Sequence, residues 1–78
     1  LAIRPMKIIA DPFCGPGRLF IEAYNYLAKQ NLDIEEKRFL KYETFYGWEV
    51  TVDLYRIGLM NLWLHNIGDI NSRAVVER

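Results

Sequence analysis

Seventy-eight residues carrying ten Lys and Arg against ten Asp and Glu make one small domain at most, or a piece of a larger one, with no formal net charge. Half of the residues are hydrophobic (51%) and 14% are aromatic, which excludes a disordered chain, since such chains lack the apolar content to offset the entropy of ordering. The balanced charge argues against a free-standing module that holds nucleic acid by neutralising phosphates. One cysteine excludes a disulfide framework and a cysteine-rich zinc site within the chain.

No apolar run reaches the roughly 18 residues of a membrane span, and nothing resembles a signal peptide, so a cytoplasmic location without membrane or metal partners is expected. The chain begins at Leu1 and ends at Arg78, just after Ala74-Val75-Val76. Its apolar content is high for a chain with so little interior, and the expectation is a fragment that packs against further protein.

In chain order, Lys7 to Ala10 is a short apolar run of the kind found in strands buried on both faces. Asp11-Pro12-Phe13-Cys14-Gly15-Pro16-Gly17 follows, with two prolines and two glycines in seven residues, and predicts a turn with unusual backbone demands. From Arg18 to Gln30 the period becomes 3.6, with Phe20, Ala23, Tyr24 and Leu27 on one face of an amphipathic helix. Asp33 and Glu36 form a capping-box pattern ahead of a short charged helix to about Leu40.

Thr44 to Val50 is aromatic and strand-prone, and Thr51 is placed to cap a second long helix that runs to about Asn66 and is ended by Gly68. Between Ile57 and Leu64 only Gly58 and Asn61 fall outside the hydrophobic set, which implies cover from more than one side. Arg73 to Glu77 reads as a third strand. The predicted class is α/β: a β-α-β-α-β half of a doubly wound, mainly parallel sheet, with ligands beyond the carboxyl ends of the strands.

Two features fall at those ends: Asp11 to Gly17, and Glu49. Glycines let a backbone approach a ligand closely and adopt positive φ. The helix that follows points its free N–H groups toward the same crevice. A carboxylate entering from the neighbouring strand can accept both hydroxyl hydrogens of a ribose. Together they point to a cofactor containing a nucleoside. A dinucleotide fits poorly, because the loop lacks G-x-G-x-x-G and Glu49 stands too far along the chain from the glycines. S-adenosylmethionine carries no phosphate, needs a looser turn and tolerates a carboxylate such as Asp11 nearby.

The segment Asp11 to Ala23, DPFCGPGRLFIEA, resembles the D-P-x-C-G-[ST]-G-G-F-L-I-E-A motif of N6-adenine DNA methyltransferases, and most closely the modification subunits of type I restriction–modification systems. Phe45 to Val50, FYGWEV, is similar to their F-Y-G-Q-E-I. Tyr55 to Ile67 resembles their Y-R-L-A-x-M-N-L-x-L-H-G-I helix.

The resemblance implies a Rossmann-like S-adenosylmethionine-dependent methyltransferase fold, with residues 1–78 as the N-terminal cofactor-binding half of the catalytic domain. It implies that Asp11, Cys14, Gly15, Pro16 and Gly17, with Pro12 and Phe13 in the same loop, wrap the methionine end of the cofactor. Glu49 then holds the ribose hydroxyls and Val50 packs against the adenine. Implied partners are DNA, through other parts of the protein, and the specificity and restriction subunits of a type I complex. The family's catalytic Asn/Asp-Pro-Pro-Phe/Tyr motif is absent from the chain and is expected beyond Arg78, so no catalytic residue falls within it.

Departures from the pattern include Pro16 for Ser/Thr, Arg18 for the second glycine, and Trp48 for Gln. They motivate one alternative, a non-catalytic subunit of methyltransferase fold. The D-P-F-C-G loop motivates another, an RNA guanine-N2 methyltransferase, although Glu49 together with Met60, Asn61 and His65 favours DNA. Cys14 is expected to fill the turn rather than act as a nucleophile, His65 to be structural, and Tyr24, Tyr26, Met60 and Trp63 to be core. The run Glu35 to Arg38 reads as a solvated face.

Overall fold

The computed structural model describes residues 3–12 and 14–78, so Phe13 of the predicted loop lies outside the described residues. The element order is β1 (Ile9–Asp11), α1 (Arg18–Ala28), α2 (Ile34–Tyr42), β2 (Phe45–Trp48), α3 (Val52–Leu64) and β3 (Val76–Glu77). The strands form one sheet in the order β1-β2-β3, parallel throughout, with Ile9 opposite Phe45, Asp11 opposite Gly47, and Gly47 opposite Val76. This is the α/β arrangement read from the alternation of patterns. Parallel pairing requires a long crossover between successive strands, and α1 with α2, then α3, provide them.

β1 runs later than the apolar run alone indicated. Asp11 is inside the strand, and Lys7 and Ile8 precede it. Pro12 has no N–H to give the ladder, so pairing stops there rather than at Ala10.

The core lies between the sheet and α1 and α3. Phe20 and Phe45 are fully buried with ring centroids 5.1 Å apart, and Leu27, Leu62, Ile67 and Val76 are buried in the same cluster. Along β2 the pleat sends Phe45 and Gly47 into this core, while Tyr46 and Trp48 point to the opposite face. On that face the Arg73 guanidinium stacks 3.7 Å from the Tyr46 ring centroid and donates through Nη2 to the Phe45 carbonyl at 2.9 Å.

α2 begins with the predicted capping box complete: the Glu36 N–H donates to Asp33 Oδ1 at 2.8 Å, and the Asp33 N–H to Glu36 Oε1 at 3.0 Å. α3 begins at the predicted place, but the Thr51 hydroxyl makes no capping bond. The helix also ends sooner than expected, at Leu64. His65 caps it and Asn66 turns the chain with φ 69°, two residues ahead of Gly68.

Gly58 and Leu62 form the buried stripe of α3, while Ile57, Met60 and Leu64 are exposed. Tyr26, Met60 and Trp63 therefore lie outside the core of the described residues, contrary to expectation; Tyr24 packs against it. Apolar residues occupy most of the circumference of α3, and only one stripe can face the sheet. Among the described residues no helix is long and apolar enough to cross a membrane.

Candidate functional site

The loop from Pro12 to Gly17 leaves the carboxyl end of β1 and enters α1. It is held from three directions. Toward the sheet, the Cys14 N–H donates to the Trp48 carbonyl at 3.1 Å, continuing the β1–β2 alignment past the last ladder pair. Within the loop, the Gly17 N–H closes a turn onto the Cys14 carbonyl at 2.9 Å, with Gly15 at φ 53° and Gly17 at φ 82°. These left-handed conformations are the reason for glycine at both positions. Toward α3, the Asn61 side-chain amide donates to the Pro16 carbonyl at a long 3.4 Å.

Glu49 stands just after β2 and joins the two strand ends. Its Oε1 accepts the Gly15 N–H at 3.1 Å and its Oε2 accepts the Thr51 N–H at 2.9 Å. These backbone donors, Thr51 first, hold its carboxyl below the usual carboxylate range. The Thr51 N–H belongs to the N-cap residue itself, so the Glu49 carboxylate satisfies a donor at the start of α3 that a Thr51 hydroxyl cap would not reach. α1 starts at Arg18 after the N-cap Gly17, with no side-chain cap and no acidic residue in its first turn, and Arg18 is exposed.

Cys14 is buried beneath this junction. Burial, then the charges of Asp11 and Glu49, push its thiol up to about 11. At neutral pH it is a protonated, small apolar group, which agrees with the turn-filling role and not with a nucleophile. Asp11, the last residue of β1, pairs with Gly47, two residues before Glu49, so both acidic residues stand at the same end of the sheet. A side chain on Gly15 would meet nothing within 4 Å, and Val50 is 77% exposed beside it in sequence from Glu49.

The structure thus brings together Asp11, Cys14, Gly15, Pro16, Gly17 and Glu49 at the carboxyl ends of β1 and β2, with Pro12 and Val50 exposed at the margins. His65 stays apart, exposed, with Nδ1 2.8 Å from the Asn61 carbonyl. A groove of about 420 Å³ lined by Tyr24, Leu32, Lys37 and Tyr42 involves the C-terminal half of α1 and α2, away from this loop. Among the described residues no group of three or more His, Cys, Asp or Glu is placed to hold a metal ion.

Sequence reasoning missed three parts of this site: the Thr51 N–H, Gly58 and Asn61. The last two had a signal, being the only interruptions in the apolar run of α3.

A parallel sheet whose first βα turn is a glycine loop, faced by an acidic residue at the end of the second strand, defines a domain of the doubly wound α/β class. The family model for N-6 DNA methylase matches residues 1–76, and the chain belongs to that family.

The type I restriction enzyme EcoKI methylase subunit of Escherichia coli is 28% identical over 95% of this chain. The type II restriction enzyme and methyltransferase RM.BcgI of Heyndrickxia coagulans is 31% identical over 91%. The crystal structure of the EcoKI M protein superposes with a TM-score of 0.83 at 29% identity over 94% of the chain. The chain spans 15% of the length of the first of these relatives and 11% of the second, and 16% of the crystallised protein.

Proposed function

We propose that the chain is the S-adenosylmethionine-binding part of a site-specific DNA adenine-N6 methyltransferase, the modification subunit of a type I restriction–modification system. One observation carries the reading: in a chain of the N-6 DNA methylase family, the Glu49 carboxylate is held by backbone N–H groups at the mouth of the glycine loop. An ionised carboxylate has about four lone-pair sites. Two are engaged, leaving acceptor capacity for the two hydroxyls of a ribose.

Asp11, Pro12, Phe13, Cys14, Gly15, Pro16 and Gly17 surround the methionine end of the cofactor in this reading, and Val50 packs on its adenine. The open space above Gly15 and the exposure of Val50 fit a bound group there. The cofactor supplies an electrophilic methyl group on a sulfonium, and the loop orients it. The catalytic Asn/Asp-Pro-Pro-Phe/Tyr motif then lies outside residues 1–78. DNA, a specificity subunit and a restriction subunit are the partners, and the cytoplasm the location. The two kinds of relative, a methylase subunit and a combined restriction enzyme and methyltransferase, make the subunit arrangement the part most in need of test.

The family match favours DNA over the RNA guanine-N2 alternative. The loop's closed turn and its bond to Glu49 favour a binding-competent loop over a degenerate one, in spite of Pro16 and Arg18.

The deciding experiment supplies the intact protein and its partner subunits with isotopically labelled S-adenosylmethionine, DNA and RNA, and reads nucleosides by mass spectrometry. Labelled N6-methyladenine in DNA is the expected result. Labelled N2-methylguanine in RNA, or no label from a folded protein, overturns the reading.

A further inference from the structure

α3 approaches the glycine loop more closely than any residue with a side chain would allow. A Cβ on Gly58 would sit 2.7 Å from the Gly15 carbonyl oxygen and 3.6 Å from the Cα and carbonyl carbon of Pro16. The obstacle is backbone, and it cannot step aside as a flexible side chain would. One turn further along α3, a Cβ on Gly17 would lie 3.0 Å from Leu62 Cδ2, and Asn61 donates to the Pro16 carbonyl. The Gly15 residue is held through its N–H by Glu49, and its carbonyl oxygen lies against the bare Cα of Gly58.

Pro16 decides whether that carbonyl can move. The plane of the Gly15–Pro16 peptide is set by ψ of Gly15 and φ of Pro16. The pyrrolidine ring locks that φ near −65°, and its Cδ also restricts the residue before it. A residue with free φ could swing the Gly15 carbonyl away from α3; proline cannot. The motif that Tyr55 to Ile67 resembles has alanine where this chain has Gly58, and the loop motif has Ser/Thr where it has Pro16. Both departures meet at a single contact.

We propose that Pro16 and Gly58 are a matched pair: the missing side chain on α3 seats a loop that proline has made rigid, and Gly58 is a positioning residue for the cofactor-binding loop. The proposal rests on the reading of that loop as the S-adenosylmethionine site.

The test is a double-mutant cycle in the intact protein, with Gly58→Ala, Pro16→Thr and the double variant, read as S-adenosylmethionine affinity by calorimetry. Gly58→Ala alone is expected to raise Kd about tenfold, while in the Pro16→Thr background the same change costs less than about threefold. In turnover, Gly58→Ala raises KM for S-adenosylmethionine and leaves kcat and KM for DNA near wild type, a split that general loss of structure would not produce. An unchanged Kd for Gly58→Ala overturns the proposal, as does an equal loss in both backgrounds.

Should Gly58→Ala fail to fold, a folded double variant supports the pairing and an unfolded one refutes it. Wild-type protein that binds no S-adenosylmethionine refutes the function instead. The cycle is then read in thermal unfolding midpoints, where Pro16→Thr rescue of Gly58→Ala still decides the pairing.

Discussion

Gly47→Ala tests how the sheet supports the loop. A Cβ at Gly47 would lie 2.8 Å from Cys14 Sγ, 2.9 Å from Phe20 Cε2 and 3.0 Å from Cys14 Cβ. Carbon contacts are comfortable from about 3.5 Å, so these neighbours must each give by roughly half an ångström. Neither is free to do so. The Phe20 ring is fully buried against Phe45, and Cys14 is tethered by its N–H to the Trp48 carbonyl.

Overpacking of this kind costs about 1–3 kcal/mol. Restricting the unfolded chain by replacing glycine returns about 0.4–1 kcal/mol. The net expectation is about 1–2 kcal/mol of destabilisation, read as a lower urea midpoint of the intact protein at unchanged slope. The path of least resistance pushes Cys14, and with it the loop, so S-adenosylmethionine affinity should fall in the same variant. Adding Cys14→Ala removes the shortest contact and should recover about half of the stability loss. A midpoint at or above wild type for Gly47→Ala, or no relief from Cys14→Ala, would refute the packing argument.

With its thiol raised to about 11, Cys14 should react with iodoacetamide at pH 8 about a hundredfold more slowly in the native protein than after unfolding; equal rates would show that the thiol is not held protonated. Asp33→Ala removes one half of the α2 capping box and should cost about 1 kcal/mol, seen as faster amide exchange at Glu36 and Lys37.

Glu49 and Asp69 are both held below their ordinary values of 4.5 and 3.8, Glu49 first by the Thr51 N–H and Asp69 first by the Ser72 hydroxyl. A depressed carboxylate contributes stability that is fully present above its ordinary value and lost as pH falls through the lowered folded value. Unfolding midpoints should therefore hold from pH 8 to about 5 and fall below about 4, and Glu49→Gln should flatten that acid limb; an unchanged limb in this variant contradicts the role of the Gly15 and Thr51 amides.

The order of elements, the parallel sheet and the place of the glycine loop were legible in the sequence, because they follow from local patterns. An apolar run stopped by proline, a 3.6 period opening at glycine and a complete capping box each depend on residues a few positions apart. Asp11 and Glu49 were found the same way, as residues at predicted strand ends. The bonds that make a site of them span 34 residues, from Gly15 to Glu49, or 45, from Pro16 to Asn61. No local pattern encodes such a distance.

The tertiary structure alone decided that the Glu49 carboxylate ties the loop to the start of α3, by accepting from the Gly15 and Thr51 amides together. It decided also which stripe of the apolar α3 faces inward. There the sequence offered apolar residues on nearly every side, and burial went to the stripe holding Gly58 and Leu62 because only a helix face without bulk at one point could close on the loop.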